Sequence, residues 1–461
     1  MTVRVLAGDI IDQAAQLDDG SIDLVFTSPP FWRQRAYLPD SHPDKHREIG
    51  TEPSPGAFVD RLLDVVEALT PKLAGHGSMM FELGDTMAGS GGAGGDYNPG
   101  GARHGQPRYR GTAKTGKKTL PGPGSSPAVP LDKSLCLIPE LFRVALVYGR
   151  NPLTGRTTPS WRARNVVRWA RNNPPVGSLG RRDVEHHTGD ARYRPATTDL
   201  VVICKNPHRY FDLQAVTGHP TSHAAAAANS LRRPANRASA PPLDHWWWHP
   251  DDDGYEQDTW LINTRPYHGA HHATMPLDLP VIPILSMCPQ RVCRICGHPS
   301  ERITSRPPRS SGPQSPNGAR PRSADGASTT LGWTECGCGI RCVPTTWDED
   351  PEPDLDTQEP DPDAIGTSPL RDHPARRIND LGSCNDPNHW RPGTVLDPFG
   401  GSGTTALVAE SLGRDCILVD LDERNTHLAL TCLAGDVIVP VQADVNIDVP
   451  PQLSLFAPAS V

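Results

Sequence analysis

The feature that most constrains this chain is Val395-Leu-Asp-Pro-Phe-Gly-Gly-Ser-Gly-Thr-Thr405. It reads as a strand, Thr394 to Leu396, that breaks into a glycine turn and restarts as a helix, Thr405 to Leu412. The glycines tolerate positive φ and let the backbone approach a ligand closely. The amides that open the helix suit a polar or anionic ligand group. A second strand follows, Asp415-Cys-Ile-Leu-Val-Asp420. Its Asp420 falls about 20 residues beyond the loop, the spacing at which a carboxylate accepts hydrogen bonds from a ribose in doubly wound nucleotide folds.

A second string stands at the other end of the chain, Asp23-Leu-Val-Phe-Thr-Ser-Pro-Pro-Phe-Trp32. Ile22 to Thr27 is a continuous apolar run suited to a parallel strand buried on both faces. It delivers Ser28 at its C-terminal end, the edge where open α/β sheets bind ligands. Two consecutive prolines, Pro29 and Pro30, stiffen the loop because each fixes its own φ. Alone, Ser-Pro-Pro reads as an ordinary turn; at the end of a buried strand and paired with the glycine loop it reads as a site.

The two strings together resemble the amino-methylating DNA methyltransferases, which modify the exocyclic nitrogen of cytosine or adenine with S-adenosylmethionine. The target-amine motif of that family, Asp/Ser/Asn-Pro-Pro-aromatic, matches Ser28, Pro29, Pro30 and Phe31, and the cofactor motif matches Asp397 to Gly403. The target motif precedes the cofactor motif, which resembles the permuted order of the β group. The resemblance implies an α/β, Rossmann-like methyltransferase sheet in circularly permuted order. It implies catalytic roles for Ser28, Pro29, Pro30 and Phe31. Cofactor-binding roles fall on Asp9, Thr27, His271, Asp397, Pro398, Phe399, Gly401, Ser402, Gly403, Thr404 and Asp420. Asp9 is equally a helix N-cap, and His271, in a His-x-Ala-x-x-Pro segment, is equally a structural histidine. Serine at the first motif position resembles cytosine-N4 members more than adenine-N6 members. Carbon-5 methylation needs a cysteine nucleophile, usually after proline, and the sequence has no Pro-Cys dipeptide. The expectation is a site-specific cytosine-N4 methyltransferase acting on duplex DNA, with a cognate restriction endonuclease as a partner. Adenine-N6 methylation, an RNA methyltransferase and a DNA-binding protein without catalysis remain alternatives.

Composition bears on the partner. The net charge is -8, which by itself argues against a generic nucleic-acid binder. From Gly101 to Ala240, however, 23 Lys/Arg face 7 Asp/Glu, a basic stretch that fits a phosphate-facing region. Fifty Pro and 42 Gly predict long, disordered insertions. The expected organisation is a catalytic half over 1–85, a Gly/Pro/basic insertion over 86–130 and the rest of the catalytic half over 131–213. A target-recognition segment over 214–262, with its Trp246-Trp-Trp248, and a cofactor-side helix within 263–287 follow. A small zinc knuckle over 288–343, an acidic Pro-rich linker over 344–390, a cofactor half over 391–446 and a tail over 447–461 complete it. No apolar run reaches the roughly 20 residues of a membrane span, and no signal peptide is read at the start, so a cytoplasmic protein is expected.

The 11 cysteines, odd in number and locally clustered, predict a metal site in a reduced protein rather than a disulfide framework. Cys293, Cys296, Cys336 and Cys338 are the expected ligands of a structural zinc, with Gly297 in the turn after the first pair; Cys288 and Cys342 compete.

Overall fold

The computed structural model describes residues 1–34, 36–88, 108–109, 130–131, 134–172, 195–216, 258–263, 275–304, 330–336, 389–433, 437–438 and 447–448. His271, Cys338, Cys342, Trp246 to Trp248 and the acidic run lie outside the described residues, as do most of the two central insertions.

The first strands are β1 (Val3–Ala7), β2 (Ile22–Thr27), β3 (Leu73–Leu83), β4 (Arg108–Tyr109), β5 (Arg162–Ala170), β6 (Thr197–Cys204) and β7 (Thr259–Leu261). They are followed by β8 (Val292–Cys293), β9 (Arg302–Thr304), β10 (Thr330–Trp333), β11 (Trp390–Arg391), β12 (Thr394–Asp397), β13 (Asp415–Asp420), β14 (Val437–Ile438) and β15 (Ile447–Asp448). The helices are α1 (Ile10–Ala14), α2 (Pro55–Leu69), α3 (Ile138–Tyr148), α4 (Asp278–Met287), α5 (Thr404–Ser411) and α6 (Glu423–Cys432).

Among the described residues, one nine-stranded sheet dominates, in the order β14-β1-β13-β12-β2-β3-β6-β5-β7. The six strands from β14 to β3 run parallel, and β6 lies antiparallel between β3 and β5. The C-terminal strands β12 and β13 therefore sit between the N-terminal strands β1 and β2. That placement agrees with the permuted order expected from the motifs: a mixed α/β sheet assembled from both ends of the chain.

Strand β2 is buried throughout; from Leu24 to Phe26 its side chains alternate between the faces as in a regular strand, and the register shift between Ile22 and Leu24 puts Ile22 on the same face as Val25. Ile22 and Val25 enter the core under α2 and α3, and Leu24 and Phe26 the core under α4 and α5. The start of α2 is set by Ser54, whose Oγ accepts from the Ala57 amide at 3.2 Å, and by Pro55 in the first turn. Both are N-terminal signals.

Two boundaries differ from expectation. The apolar run Ser78-Met-Met-Phe-Glu-Leu83 predicts a strand from Ser78, whereas β3 begins at Leu73, because the pairing with β2 absorbs the glycine-rich Ala74–Gly77 segment in a register shift between Ile22 and Leu24. Gly77 is what allows this: a Cβ there would lie 2.7 Å from the Leu73 side chain and 3.0 Å from the Asp23 carbonyl oxygen. The sheet also runs past residue 213, since β7 pairs with β5 at its edge and Trp169 Nε1 donates to the Ile262 carbonyl at 2.7 Å. Three residues carry no periodic signal to announce a strand.

At the N-terminal ends of β2 and β12 sits a buried ionic lock. Asp23 is 0% exposed and accepts from Arg391 at 2.6 and 3.1 Å, from the Thr394 amide at 2.7 Å and is paired with His76 at 2.9 Å. Burial pushes its carboxyl up, but the hydrogen bonds and charges of His76 and Arg391 outweigh burial and hold it below its ordinary value. The lock joins the strand bearing Ser28 to the strand bearing Asp397.

Candidate active site

The two motif strings end side by side at the C-terminal edge of the sheet. Register places Leu396 beside Val25, Asp397 beside Leu418, and Ala7 beside Asp420. Thr27 Oγ1 donates to Asp397 Oδ1 at 2.6 Å, so the strand that delivers Ser28 is tied to the strand that opens the glycine loop. Asp397 also accepts from Thr405 Oγ1 at 2.6 Å and from the Phe399 amide at 3.1 Å. It is 2% exposed, and burial raises its carboxyl above the ordinary value against these three hydrogen bonds. Two carboxylate oxygens offer about four acceptor sites; with three in use, Asp397 first of all joins β2, β12 and α5, and keeps one site for a ligand.

The loop Phe399–Gly403 turns on two glycines, Gly401 at φ 53° and Gly403 at φ 86°. Gly403 caps α5 with no side chain over the helix amides. A Cβ on Gly403 would lie 3.1 Å from Ala429 Cβ, so the loop packs directly on α6. Ser402 and Thr404 follow as expected, their hydroxyl oxygens 3.4 Å apart.

Asp420 lies beside the same loop. Its oxygens accept from the Gly401 amide at 2.9 Å, the Asp422 amide at 2.8 Å and Asn425 Nδ2 at 3.1 Å. Burial, then the charge of Asp422, pushes its carboxyl up to about 7 against those hydrogen bonds. Asp9, on the loop after the adjacent β1, caps α1 by accepting from the Ile11 amide at 2.8 Å. Its other oxygen is 4.0 Å from Arg47 Nη1.

Ser28 and Phe31 lie in a loop held from both sides. Arg33 N donates to the Gly50 carbonyl at 2.7 Å, and a Cβ on Gly50 would lie 3.2 Å from Pro30 Cβ. At Gly84 a Cβ would lie 2.5 Å from the Phe31 ring, so the ring occupies the space that this glycine leaves. Pro29 is buried, while Ser28, Pro30 and Phe31 keep part of their surface open.

Glu82, a residue that belongs to neither motif, lies near the Ser28 side chain, which favours its ionised form. Glu82 is 5% exposed near the end of β3 and accepts from Thr198 Oγ1 at 3.0 Å, with Arg171 Nη2 at 3.8 Å. Burial raises its carboxyl above the ordinary value; Ser28, Arg171 and Thr198 oppose that in decreasing order. Arg171 in turn stacks on Trp169 at 3.9 Å. The signal available in the sequence was a lone Glu inside the apolar run Ser78-Met-Met-Phe-Glu-Leu83. A carboxylate in such a strand requires partners, and the parallel register that pairs Thr27 with Phe81 sets Ser28 beside it.

The expected metal ligands are brought together in part. The Sγ atoms of Cys293, Cys296 and Cys336 lie within 4.8 Å of one another. Cys288 is buried apart from this group, its carbonyl accepting from Arg414 at 3.2 Å. His389, not anticipated as a ligand, places Nε2 3.2 Å from Cys293 Sγ and 2.9 Å from Cys336 Sγ.

The N6/N4 DNA methylase family matches residues 385–430, the span of β11, β12, the glycine loop, β13 and most of α6. Over that span the chain is similar to the amino-methylating DNA methylases. Among type II methyltransferases, the chain is 34% identical to M.MwoI of Methanothermobacter wolfeii over 82 residues, 18% of this chain and 11% of that protein. It is 28% identical to M.SfiI of Streptomyces fimbriatus over 218 residues, 47% of this chain and 39% of that protein. With M.Cfr9I of Citrobacter freundii it shares 24% identity over 273 residues, 59% of this chain and 68% of that protein. The chain thus spans well under half the length of the first two relatives. No helix among its described residues is long and apolar enough to cross a membrane.

Proposed function

We propose that the protein transfers a methyl group from S-adenosylmethionine to the N4 amine of cytosine in duplex DNA. The observation that carries the reading is the Thr27–Asp397 hydrogen bond of 2.6 Å, which holds the Ser-Pro-Pro-Phe loop against the glycine loop at one edge of the sheet.

The residues at this edge fit the cofactor. Gly401 and Gly403 at positive φ leave a cradle without side chains in front of α5. Asp420, half-buried beside it, suits the ribose hydroxyls, Asp9 the adenine side, and the remaining acceptor site of Asp397 the methionine amine. Pro398, Phe399, Ser402 and Thr404 line the same turn. S-adenosylmethionine supplies an electrophilic methyl group on a sulfonium.

The chain's own contribution is to make a poor nucleophile competent. The lone pair of an exocyclic amine is delocalised into its ring. The Ser28 proton is committed to Glu82, so the Oγ lone pairs are free to accept from the amine, and the Pro29 carbonyl offers a second acceptor. Two acceptors favour a pyramidal nitrogen and stabilise the positive charge that develops on it. As the nitrogen gives up its proton to Ser28 Oγ, the Ser28 proton passes to Glu82. Phe31, braced by Gly84, stacks on a base that has left the duplex. Positioning supplies much of the acceleration. Serine rather than aspartate at position 28 supports cytosine over adenine. The basic 101–240 stretch supports DNA as the partner, and a paired restriction endonuclease fits the type II relatives.

The reading is tested by mass spectrometry of nucleosides from plasmid DNA. The DNA is recovered from a methylation-free host expressing the protein, beside a Ser28→Ala/Pro29→Ala control. N4-methylcytosine with the intact protein alone is the expected result. N6-methyladenine overturns the base choice, and no methylated base overturns the reading.

Asp420 adds a pH dependence. A hydroxyl donates better to a carboxylate than to a carboxylic acid, and the carboxyl of Asp420 is raised to about 7. Cofactor affinity should therefore weaken as pH falls through that value, approaching about tenfold per pH unit. Equilibrium dialysis with labelled cofactor checks this. Asp420→Asn should bind more weakly at neutral pH and lose the dependence; an identical profile in the variant would remove Asp420 from the binding site.

A further inference from the structure

The cysteine cluster, with the histidine that joins it, lies at the opposite end of the sheet from Ser28. Strand β8 ends in Cys293, a turn follows, and Cys296 and Gly297 close it with Gly297 at φ 70°. The amides of Ile295 and Cys296 donate to Cys293 Sγ at 3.4 and 3.5 Å, and the Gly297 amide to the Cys293 carbonyl at 3.0 Å. This turn aims backbone donors at a sulfur, which favours a thiolate. Strand β11 pairs antiparallel with β8, Trp390 opposite Cys293. The residue before it, His389, is 3% exposed and directs Nε2 at both Cys293 and Cys336. Cys336 arrives from the far side, three residues after β10. None of these cysteines forms a disulfide.

We propose that Cys293, Cys296, Cys336 and His389 bind a structural Zn(II) ion. Three thiolates and one imidazole are a soft, four-ligand set that selects zinc. A tetrahedral zinc with Zn–S near 2.3 Å separates its ligand atoms by roughly 3.5–3.8 Å; the three Sγ atoms lie within 4.8 Å of one another, and His389 Nε2 lies 3.2 and 2.9 Å from those of Cys293 and Cys336. All four positions are filled by protein, so the site is closed and not catalytic. His389 supplies the fourth ligand expected of Cys338. A histidine 53 residues after Cys336 matches no short knuckle spacing, and only the β8–β11 pairing brings it in.

The position gives the ion a definite task. His389 is followed by Arg391, which grips Asp23, and by Gly393, where a Cβ would lie 2.2 Å from the Pro289 carbonyl oxygen. The ion therefore fastens the chain leaving α4 to the chain entering β12, where close backbone contact allows no slack. It sets the start of the cofactor strand from the edge of the sheet remote from the reaction. This holds whichever base, or none, is methylated.

The test is made on the full-length protein purified without chelators. Elemental analysis is expected to find one zinc per chain. The cobalt-substituted protein is expected to show thiolate charge-transfer bands and the d–d bands of a tetrahedral site with three thiolates and one imidazole. Cys338→Ser should leave both unchanged. His389→Cys should retain cobalt and shift the d–d bands toward those of a four-thiolate site, a readout that survives even if His389→Ala fails to fold. A protein free of metal after refolding with zinc overturns the site. Loss of metal in Cys338→Ser, or an unshifted spectrum in His389→Cys, overturns the ligand set.

Discussion

Ser28→Ala is expected to lower kcat for methyl transfer by about 10²- to 10³-fold, the cost of deleting one polar group aimed at developing charge. Cofactor affinity should stay unchanged, because Ser28 faces the amine and not the glycine loop. The loss falls on the step in which the nitrogen gains positive character: the Pro29 carbonyl remains, but the second acceptor and the route to Glu82 are gone. Single-turnover kinetics on a duplex substrate separate this from weaker binding. Glu82→Gln provides the companion test. Glutamine keeps the shape and can still accept from Ser28, but it takes up no proton. The carboxyl of Glu82 is raised by burial, and it serves as acceptor only when ionised. The wild-type rate should thus fall as pH drops through the raised value, and the variant should be slower and lack that limb. An unaltered pH profile in Glu82→Gln would reduce Glu82 to a structural partner of Arg171 and Thr198.

Asp23→Ala should be the most damaging substitution for stability, by about 3–5 kcal/mol, the range for removing one member of a buried ion pair. Its removal leaves Arg391 facing a cavity, deprives the Thr394 amide of its acceptor, and detaches His76. Because the lock joins β2 to β12, the loss reaches both motif strands at once. Denaturant unfolding should show the drop, and Asp23→Asn, which preserves volume, should lie between. The pH sign follows from the lowered carboxyl. A group depressed in the folded state adds stability that is full above the unfolded value and is lost as pH falls through the folded one. The gap between wild type and Asp23→Asn should accordingly close in acid. A gap that is constant with pH would mean that the lock acts through packing and not through charge.

How much of this was legible in advance depends on the range of the interactions. Local strings announced themselves. Thr394 to Asp420 reads as strand, glycine loop, helix and strand because positive φ, helix starts and apolar runs are written in consecutive residues, and α5 and β13 lie within one residue of expectation. The continuous apolar β2 likewise declared burial on both faces and put Ser28 at a strand end. Glu82 and His389 were less legible. Each lies outside any spacing rule, and each matters because of a neighbour brought in by sheet register: Ser28 across β2 and β3, Cys293 and Cys336 across β8 and β11.

By itself the sequence determined the kind of fold, the two motif loops and the order in which they occur. Those follow from hydrophobic period, from proline and glycine geometry, and from motif residues next to one another in the chain. The tertiary structure alone decided what stands beside them. It put the β12–β13 pair between β1 and β2, spent three of the acceptor sites of Asp397 on Thr27, Thr405 and Phe399, and set a buried carboxylate behind Ser28. It also carried His389 to Cys293 and Cys336. Burial and partnership across hundreds of residues set the charge state of a side chain, and neither is a property of the residues adjacent in the chain.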